Sequence, residues 1–327
     1  MPDHVLSMPP DAQRKIGVYC LANDHVLEWF QAFVRSLRIH DPDLPLTVIP
    51  YDDSVAKLKE LQAQFNFSLM GKPACQRFDA IADRVAGQKI AGGTFRKLCC
   101  FFGEYESFVF LDSDVVVTTP LEPFLRAFES MECDLVYFDS DITMSYTPEF
   151  GRKMASEYGS PGFTTGSWIA RRSSVTEGEI LEAVERGEKI RDGFSIWGEQ
   201  PFFNYLFDVT RRRRVPAWTI LAALTREPSG RIIRHHRARD QYFDHNDRLI
   251  PFIHWAGCEW PTMFCPEIFL RYRTMGMDWP ERTVYRMNFY CRRCRRQLKE
   301  VMQASGWLAR RGEQPPKDDS RPEAAPK

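Results

Sequence analysis

Asp112-Ser113-Asp114 follows the apolar run Phe108-Val109-Phe110-Leu111, so two carboxylates one residue apart stand where a strand runs into a loop. Both can reach one hard divalent cation, and a cation held there neutralises a diphosphate leaving group, which side chains alone do poorly. Polar residues favour strand ends in any case. A second pair, Asp139-Ser140-Asp141, follows the apolar run Leu135-Val136-Tyr137-Phe138, so the motif gains meaning only from its context. His254 ends another apolar run, Ile250–Ile253, with Gly257 three residues on. Cys291-Arg292-Arg293-Cys294 is a single CxxC; Cys258 and Cys265 could complete a four-thiolate zinc site, but their spacing is not that of a knuckle.

The elements that must position these residues alternate. Ile16–Ala22 is an apolar run that reads as a buried strand, and Asn23-Asp24 after it can cap a helix. That helix carries Val26, Leu27, Phe30, Phe33, Val34 and Leu37 at helical spacing. A second strand, Leu46–Tyr51, ends at Asp52-Asp53 and leads into another helix. Strand, helix, strand, helix opens a parallel α/β sheet, whose ligands bind beyond the carboxyl ends of the strands. Further on, Thr119-Pro120-Leu121-Glu122 predicts a capped helix start, and Ser174-Val175-Thr176-Glu177 a second one. A glycine-containing strand is expected around 162–170 and a helix from Glu199 to Phe207. The expected organisation is a loose N-terminus over 1–13, an α/β domain over 14–275, a basic helical extension over 276–311 and a disordered tail over 312–327.

Composition bounds the function. Of 327 residues 43% are apolar and 27% charged, which excludes a disordered or collagenous chain. Forty-four basic side chains balance forty-four acidic ones, so no general attraction to nucleic acid or membrane follows. The balance is uneven along the chain: residues 209–311 hold 21 Lys/Arg against 9 Asp/Glu, and residues 1–208 hold 20 against 31. The runs Arg211–Arg214 and Arg231 to Arg239 read as a solvated face by default, otherwise as a rim for an anionic substrate or a partner site. Nine cysteines, several inside apolar runs, and an N-terminus without a signal-peptide layout indicate a reduced, cytoplasmic protein. No run approaches 18 apolar residues, so no transmembrane segment is expected.

Phe95–Tyr105 leading into Phe108–Asp114, then Gly162-Phe163-Thr164-Thr165-Gly166, Gly198-Glu199-Gln200-Pro201 and His254-Trp255-Ala256-Gly257 are similar in order and spacing to motifs of glycosyltransferase family 8. Over residues 15–262 the chain resembles a divergent bacterial branch of that retaining group, which includes glycogenin and bacterial lipopolysaccharide galactosyltransferases. The resemblance implies a GT-A fold, Rossmann-like and α/β with a mostly parallel central sheet. It also implies metal-dependent, retaining transfer of a sugar from a nucleoside-diphosphate sugar, favoured as a UDP-sugar, to an acceptor. Mn²⁺ or Mg²⁺ would be held by Asp112, Asp114 and His254. Asn23 and Asp24 match residues beside the base and ribose. Lys97, with Arg96 next to it, matches a donor contact, as do Asp112 and Ser113. Gly257 lies where backbone amides approach the diphosphate, and Thr165-Gly166 where sugar and acceptor meet. Glu199 and Gln200 match the pair at the anomeric carbon and are the expected catalytic residues.

The sequence departs from the family at four of these positions. Val26 replaces a base-packing aromatic residue, Trp260 a diphosphate-clamping lysine, Thr164 an asparagine and Glu199 an aspartate. Two other readings stand beside this one. Phe110–Val116 also fits a haloacid-dehalogenase-type phosphatase with Asp112 as covalent nucleophile, although a βαβα unit precedes it and no later Gly-Asp-x-x-x-Asp follows. The other is a non-catalytic GT-A module that binds a sugar nucleotide.

Overall fold

Eight strands in chain order build the part of the molecule that carries the acidic motif: β1 Ile16–Ala22, β2 Leu46–Pro50, β3 Ser68–Leu69, β4 Ser107–Asp112, β5 Val115–Val117, β6 Leu135–Tyr137, β7 Ser167–Arg171 and β8 Arg214–Pro216. The computed structural model describes residues 15–85, 92–195, 198–221, 224, 235–238 and 241–304. The expectations for residues 1–13 and 312–327, and for Arg231, Arg234 and Arg239, lie outside the described residues. Seven strands form the central sheet in the order β3-β2-β1-β4-β7-β6-β8. β7 alone runs against its neighbours β4 and β6; the other pairings are parallel. Three further strands, β9 His235–Ala238, β10 Gln241–Asp244 and β11 Leu249–Ile250, make an antiparallel ladder, and β12 Phe252–His254 pairs with β5.

The helices that alternate with them are α1 Leu27–His40, α2 Ala56–Phe65, α3 Lys72–Val85, α4 Glu122–Glu129, α5 Pro148–Tyr158, α6 Glu177–Lys189, α7 Glu199–Val209, α8 Pro266–Arg273 and α9 Trp279–Ala304. A 3₁₀ segment, Gly92–Phe102, precedes β4. Both faces of the sheet are buried, as a parallel sheet requires. In β1, Tyr19 and Leu21 join one apolar cluster while Val18, Cys20 and Ala22 join the other. Under the motif the core is aromatic: Phe110 and Phe101 both stack on Trp168, at 5.3 and 5.5 Å between ring centres. Such pairs contribute roughly 0.5–1.5 kcal/mol each beyond the area they bury, which stiffens the end of β4.

The chain divides into two units, Met1–Gly257 with Ile268–Met275, and Cys258–Glu267 with Gly276–Lys327. The second unit thus joins residues 258–267 to the C-terminal helix. In that second unit Phe289 of α9 is buried and packs edge-on against Trp260 at 5.8 Å.

Two expected helix starts move. The capping box of α6 is Thr176 with Glu179, two residues later than the Ser174–Glu177 reading, because Ser174 instead donates to the Asp134 carbonyl at 2.8 Å. α4 begins at Glu122, and Thr119 does not cap it. Its first amides are satisfied from a distant element: the Asp41 carboxylate accepts from Leu121 N at 2.6 Å and Glu122 N at 3.4 Å. A cap supplied from 80 residues away has no local sequence signature.

One buried contact fixes where β5 sits. The Ser36 hydroxyl on α1 accepts from Val117 N at 2.8 Å, and Ser36 is fully buried. Ser36→Ala leaves that amide without a partner in an apolar setting, and a loss of about 1–3 kcal/mol in urea unfolding is expected. A negligible loss would mean that β5 is held by its ladder to β12 alone.

Candidate active site

The chain leaves β1 toward β2 and β3, then returns to β4 on the other side of β1. A crevice opens at such a switch point, at the carboxyl ends of the two strands. Parallel register puts Leu21 beside Asp112, so Asn23 and the Asp112–Asp114 turn emerge together. Antiparallel β7 closes the far side, with Asp112 N donating to Gly166 O at 2.8 Å. The β5–β12 ladder then sets His254 opposite Val115, and Trp255 N donates to Asp114 O at 3.0 Å.

The result is a triad. One ligand atom from each of Asp112, Asp114 and His254 lies within 4.8 Å of the others, the one such group of three among the described residues. Asp139 and Asp141 do not join it. Asp141 is a local cap, accepting from Thr143 N at 2.9 Å, and Asp139 accepts from Ser140 N at 2.8 Å. Among the described residues Cys258, Cys265, Cys291 and Cys294 form no comparable cluster. The triad's donor set, two carboxylates and an imidazole, fits a divalent cation. So does the space, which depends on a missing side chain: a Cβ on Gly166 would overlap His254 Cε1 and come to 3.0 Å from Asp112 Oδ2.

Charge at the triad is organised by Lys97. Its ammonium, 3% exposed, reaches the Asp112 carboxylate at 3.2 Å, Glu199 Oε1 at 3.2 Å and Thr165 O at 3.2 Å. Three N–H bonds meet three acceptors. Burial opposes its charge, but Asp112 and Glu199 more than offset that and hold its pKa above the usual lysine value. Arg96, next along the 3₁₀ segment, turns away to Asp79 at 2.7 Å and to the Pro50 carbonyl at 2.9 Å. Burial pushes Asp112 up to about 6, against the pull of Lys97. Burial would raise Asp114 too, but His254 at 3.2 Å holds it below the ordinary carboxylate range. His254 itself is raised: burial disfavours its charge, and the Asp114 carboxylate outweighs that.

A cleft of about 380 Å³ opens over the triad, lined by Asn23, Lys97, Asp112, Ser113, Asp114 and Glu199 among others. Asn23 both caps the turn after β1, accepting from His25 N at 3.0 Å, and lines the cleft. Asp24 does not line it: its carboxylate caps α2 instead, accepting from Lys57 N at 3.1 Å and Leu58 N at 3.0 Å. Gly198, at φ 55°, lets the chain turn into α7 and present Glu199 at the helix's first position. Gln200 sits behind the cleft wall, buried, accepting from Thr165 N at 3.3 Å and donating to Ser145 Oγ at 3.5 Å. Gly257 follows β12 with φ 68°. The Trp260 ring is taken by Phe289 and by Arg292, 5.3 Å above it.

Trp29 and Tyr51 also line the cleft and were not singled out from sequence. Trp29 lies three residues beyond Val26, one helical turn on, and packs at a tilt against Trp255 at 5.5 Å and edge-on against Phe269 at 5.3 Å. The i, i+3 spacing of Val26 and Trp29 was the available signal.

No family model matches the sequence, and no curated protein matches it. Solved glycosyltransferases resemble the fold. The apo WbbM bifunctional glycosyltransferase gives a TM-score of 0.52 at 14% identity over 86% of this chain and 53% of its own, so the chain spans about half of its length. The galactosyltransferase LgtC, solved with donor and acceptor sugar analogues, gives 0.50 at 13% identity over 81% of this chain and 99% of its own. An active-site mutant of LgtC gives 0.51 at 14% over 78% and 94%. At such identity the likeness establishes the fold, and the fold is the expected GT-A arrangement.

Two outcomes follow from the triad. Gly166→Ala should abolish Mn²⁺ binding in calorimetry while the protein stays folded by circular dichroism; normal affinity would mean that the triad is not the cation site. Cation ligands must be deprotonated, so binding releases protons. With Asp112 near 6 and His254 raised, affinity should be weakest in acid. Between about pH 5.5 and about pH 7.5 the Mn²⁺ affinity should rise at least about tenfold, and a flat profile would exclude both groups as ligands.

Proposed function

We propose that this chain is a metal-dependent, retaining glycosyltransferase of the family 8 kind, taking a sugar from a nucleoside-diphosphate sugar. The observation that carries the reading is the Asp112–Asp114–His254 triad beside buried Lys97 and cleft-facing Glu199, at the switch point of a GT-A sheet. Asp112, Asp114 and His254 would hold the divalent ion, whose charge would stabilise the departing diphosphate. Two carboxylates with an imidazole suit Mn²⁺ better than Mg²⁺, which prefers an all-oxygen shell. Lys97 adds a fixed positive charge on the same side.

Asn23 and Ser113 line the nucleotide end of the cleft, and Gly257 would bring backbone amides toward the diphosphate. Tyr51 and Trp29 offer the aromatic surface for a base that Val26 does not. Glu199, held by Lys97, is placed to accept a hydrogen bond from a sugar hydroxyl. The turn at Thr165-Gly166, which lies beside Lys97 and the triad, would be where sugar and acceptor meet. Gln200 acts one hydrogen bond back, as a positioning residue that fixes the Thr165 amide. In the reaction the bond from the anomeric carbon to phosphate breaks and a bond to the acceptor oxygen forms on the same face. The acceptor's proton passes to the leaving phosphate. The phosphatase alternative needs Asp112 as a free nucleophile among oxygen ligands, and His254 in the third position does not supply that.

A thermal-shift series with nucleoside diphosphates and sugar nucleotides, with and without Mn²⁺, tests the reading. A ligand at 100 times its Kd adds about 2.7 kcal/mol to folding stability. Stabilisation should appear only with Mn²⁺ and vanish in Asp114→Asn, and slow donor hydrolysis should fall at least about a hundredfold in that variant. Equal stabilisation by nucleotides without metal, unchanged in Asp114→Asn, would overturn the metal-dependent reading; binding without hydrolysis or transfer would leave a sugar-nucleotide-binding module.

A further inference from the structure

α9 carries a face that the second unit does not use. Phe289 is buried against Trp260, Arg293 donates to the Pro261 and Met263 carbonyls at 2.9 and 2.7 Å, and Arg296 pairs with Glu259. At about 100° per residue these three side chains share one side of the helix. Trp279, Val284, Met287, Tyr290, Leu298 and Val301 fall on another side, within one arc of about 140°. All six are exposed, Trp279 to 77% and Leu298 and Val301 to 60% and 63%. Exposed Cys291 and Cys294 lie in the same arc, which gives the CxxC a place without a metal.

Charge decides what covers this face. α9 holds six arginines and Lys299 against Glu281 and Glu300. Arg282 and Arg286 border the apolar arc on one flank, and Arg295 and Lys299 on the other. A second copy would bring two strongly cationic helices together. A nucleic acid would meet the charge but leave six apolar side chains in water. A surface of anionic phospholipid meets both, with headgroups at the flanks and acyl chains under the arc. Among the described residues no helix is long and apolar enough to cross a membrane, so contact must be in the plane of the interface. We propose that the outward face of α9 docks the protein on anionic membrane surfaces. The proposal stands on α9 alone and does not depend on the reaction assigned to the cleft.

Cosedimentation of the full chain with vesicles tests it, using phosphatidylcholine alone and phosphatidylcholine with phosphatidylglycerol. Binding should require the anionic lipid and weaken at high salt. The variant Met287→Gln/Leu298→Gln/Val301→Gln keeps helix propensity and charge. It should bind about tenfold more weakly, with an unchanged circular dichroism spectrum and melting temperature. Equal pelleting with both vesicle types, or a variant that pellets like the parent, would overturn the proposal. So would a concentration-dependent dimer in sedimentation velocity that the variant abolishes, with no vesicle binding, since a second copy would then be the occupant.

Discussion

The Lys97 ammonium is the interaction on which the site's other parts depend. It is buried at the meeting point of three elements: the end of β4 through Asp112, the start of α7 through Glu199 and the turn before β7 through the Thr165 carbonyl. Removing one partner of a buried ion group strands the other's charge in a poorly solvated place, at a cost of about 3–5 kcal/mol. The same cation sits 5.2 Å over the Phe110 ring, whose other neighbour is Trp168, and Trp168 Nε1 donates to the carbonyl that Lys97 also uses. Aromatic core and charged site are thus one structure.

That arrangement leaves a definite electrostatic remainder. Asp112, Asp114 and Glu199 against Lys97 leave two negative charges once His254 is neutral, the charge that a divalent cation cancels. Burial lifts Asp112 to about 6, and the Asp114 carboxylate keeps a proton on His254 above its ordinary pKa. A bound cation inverts this logic, because its own charge dominates the local field. The proposed chemistry asks for the same thing, a site that is incomplete until the ion and the diphosphate arrive together.

The sequence disclosed the parts that depend on local pattern. β1 is expected and observed over Ile16–Ala22, since an unbroken apolar run in a parallel sheet has no face to leave polar. Asp112-Ser113-Asp114 was separable from Asp139-Ser140-Asp141 only by motif order, and the structure gives the physical difference. The first pair lies where β5 meets β12 and receives His254 across the ladder; the second is consumed by its own turn. Gln200 and Asp24 show what pattern cannot convey. Each stands next to a cleft residue, yet one is turned into a buried network and the other caps α2. Adjacent residues on a helix start or a tight turn point in different directions, and only the packed partner decides which lines the cleft.

The basic excess after residue 209 shows the same limit for charge. Read as one run, Arg211–Arg214 suggested a solvated face or an anion rim. In the structure its members have separate structural tasks: Arg214 is buried with Asp208, which also accepts from the Tyr146 hydroxyl, and Arg212 pairs with Glu179. Arg213 donates to the Glu132 carbonyl, and Arg211 lies over the Tyr158 ring. None of the four lines the triad's cleft. Positive charge matched by a carboxylate inside a unit, as for Arg212 and Arg214, exerts little pull outside it, because the fields of the pair largely cancel. The cations that keep an outward field are those without such neighbours, and α9 sets several of them along an exposed apolar stripe. A polyelectrolyte needs only charge, and a packing partner only the apolar stripe. A surface that offers both at once selects a partner built the same way, which is the physical ground for assigning α9 to an anionic lipid interface.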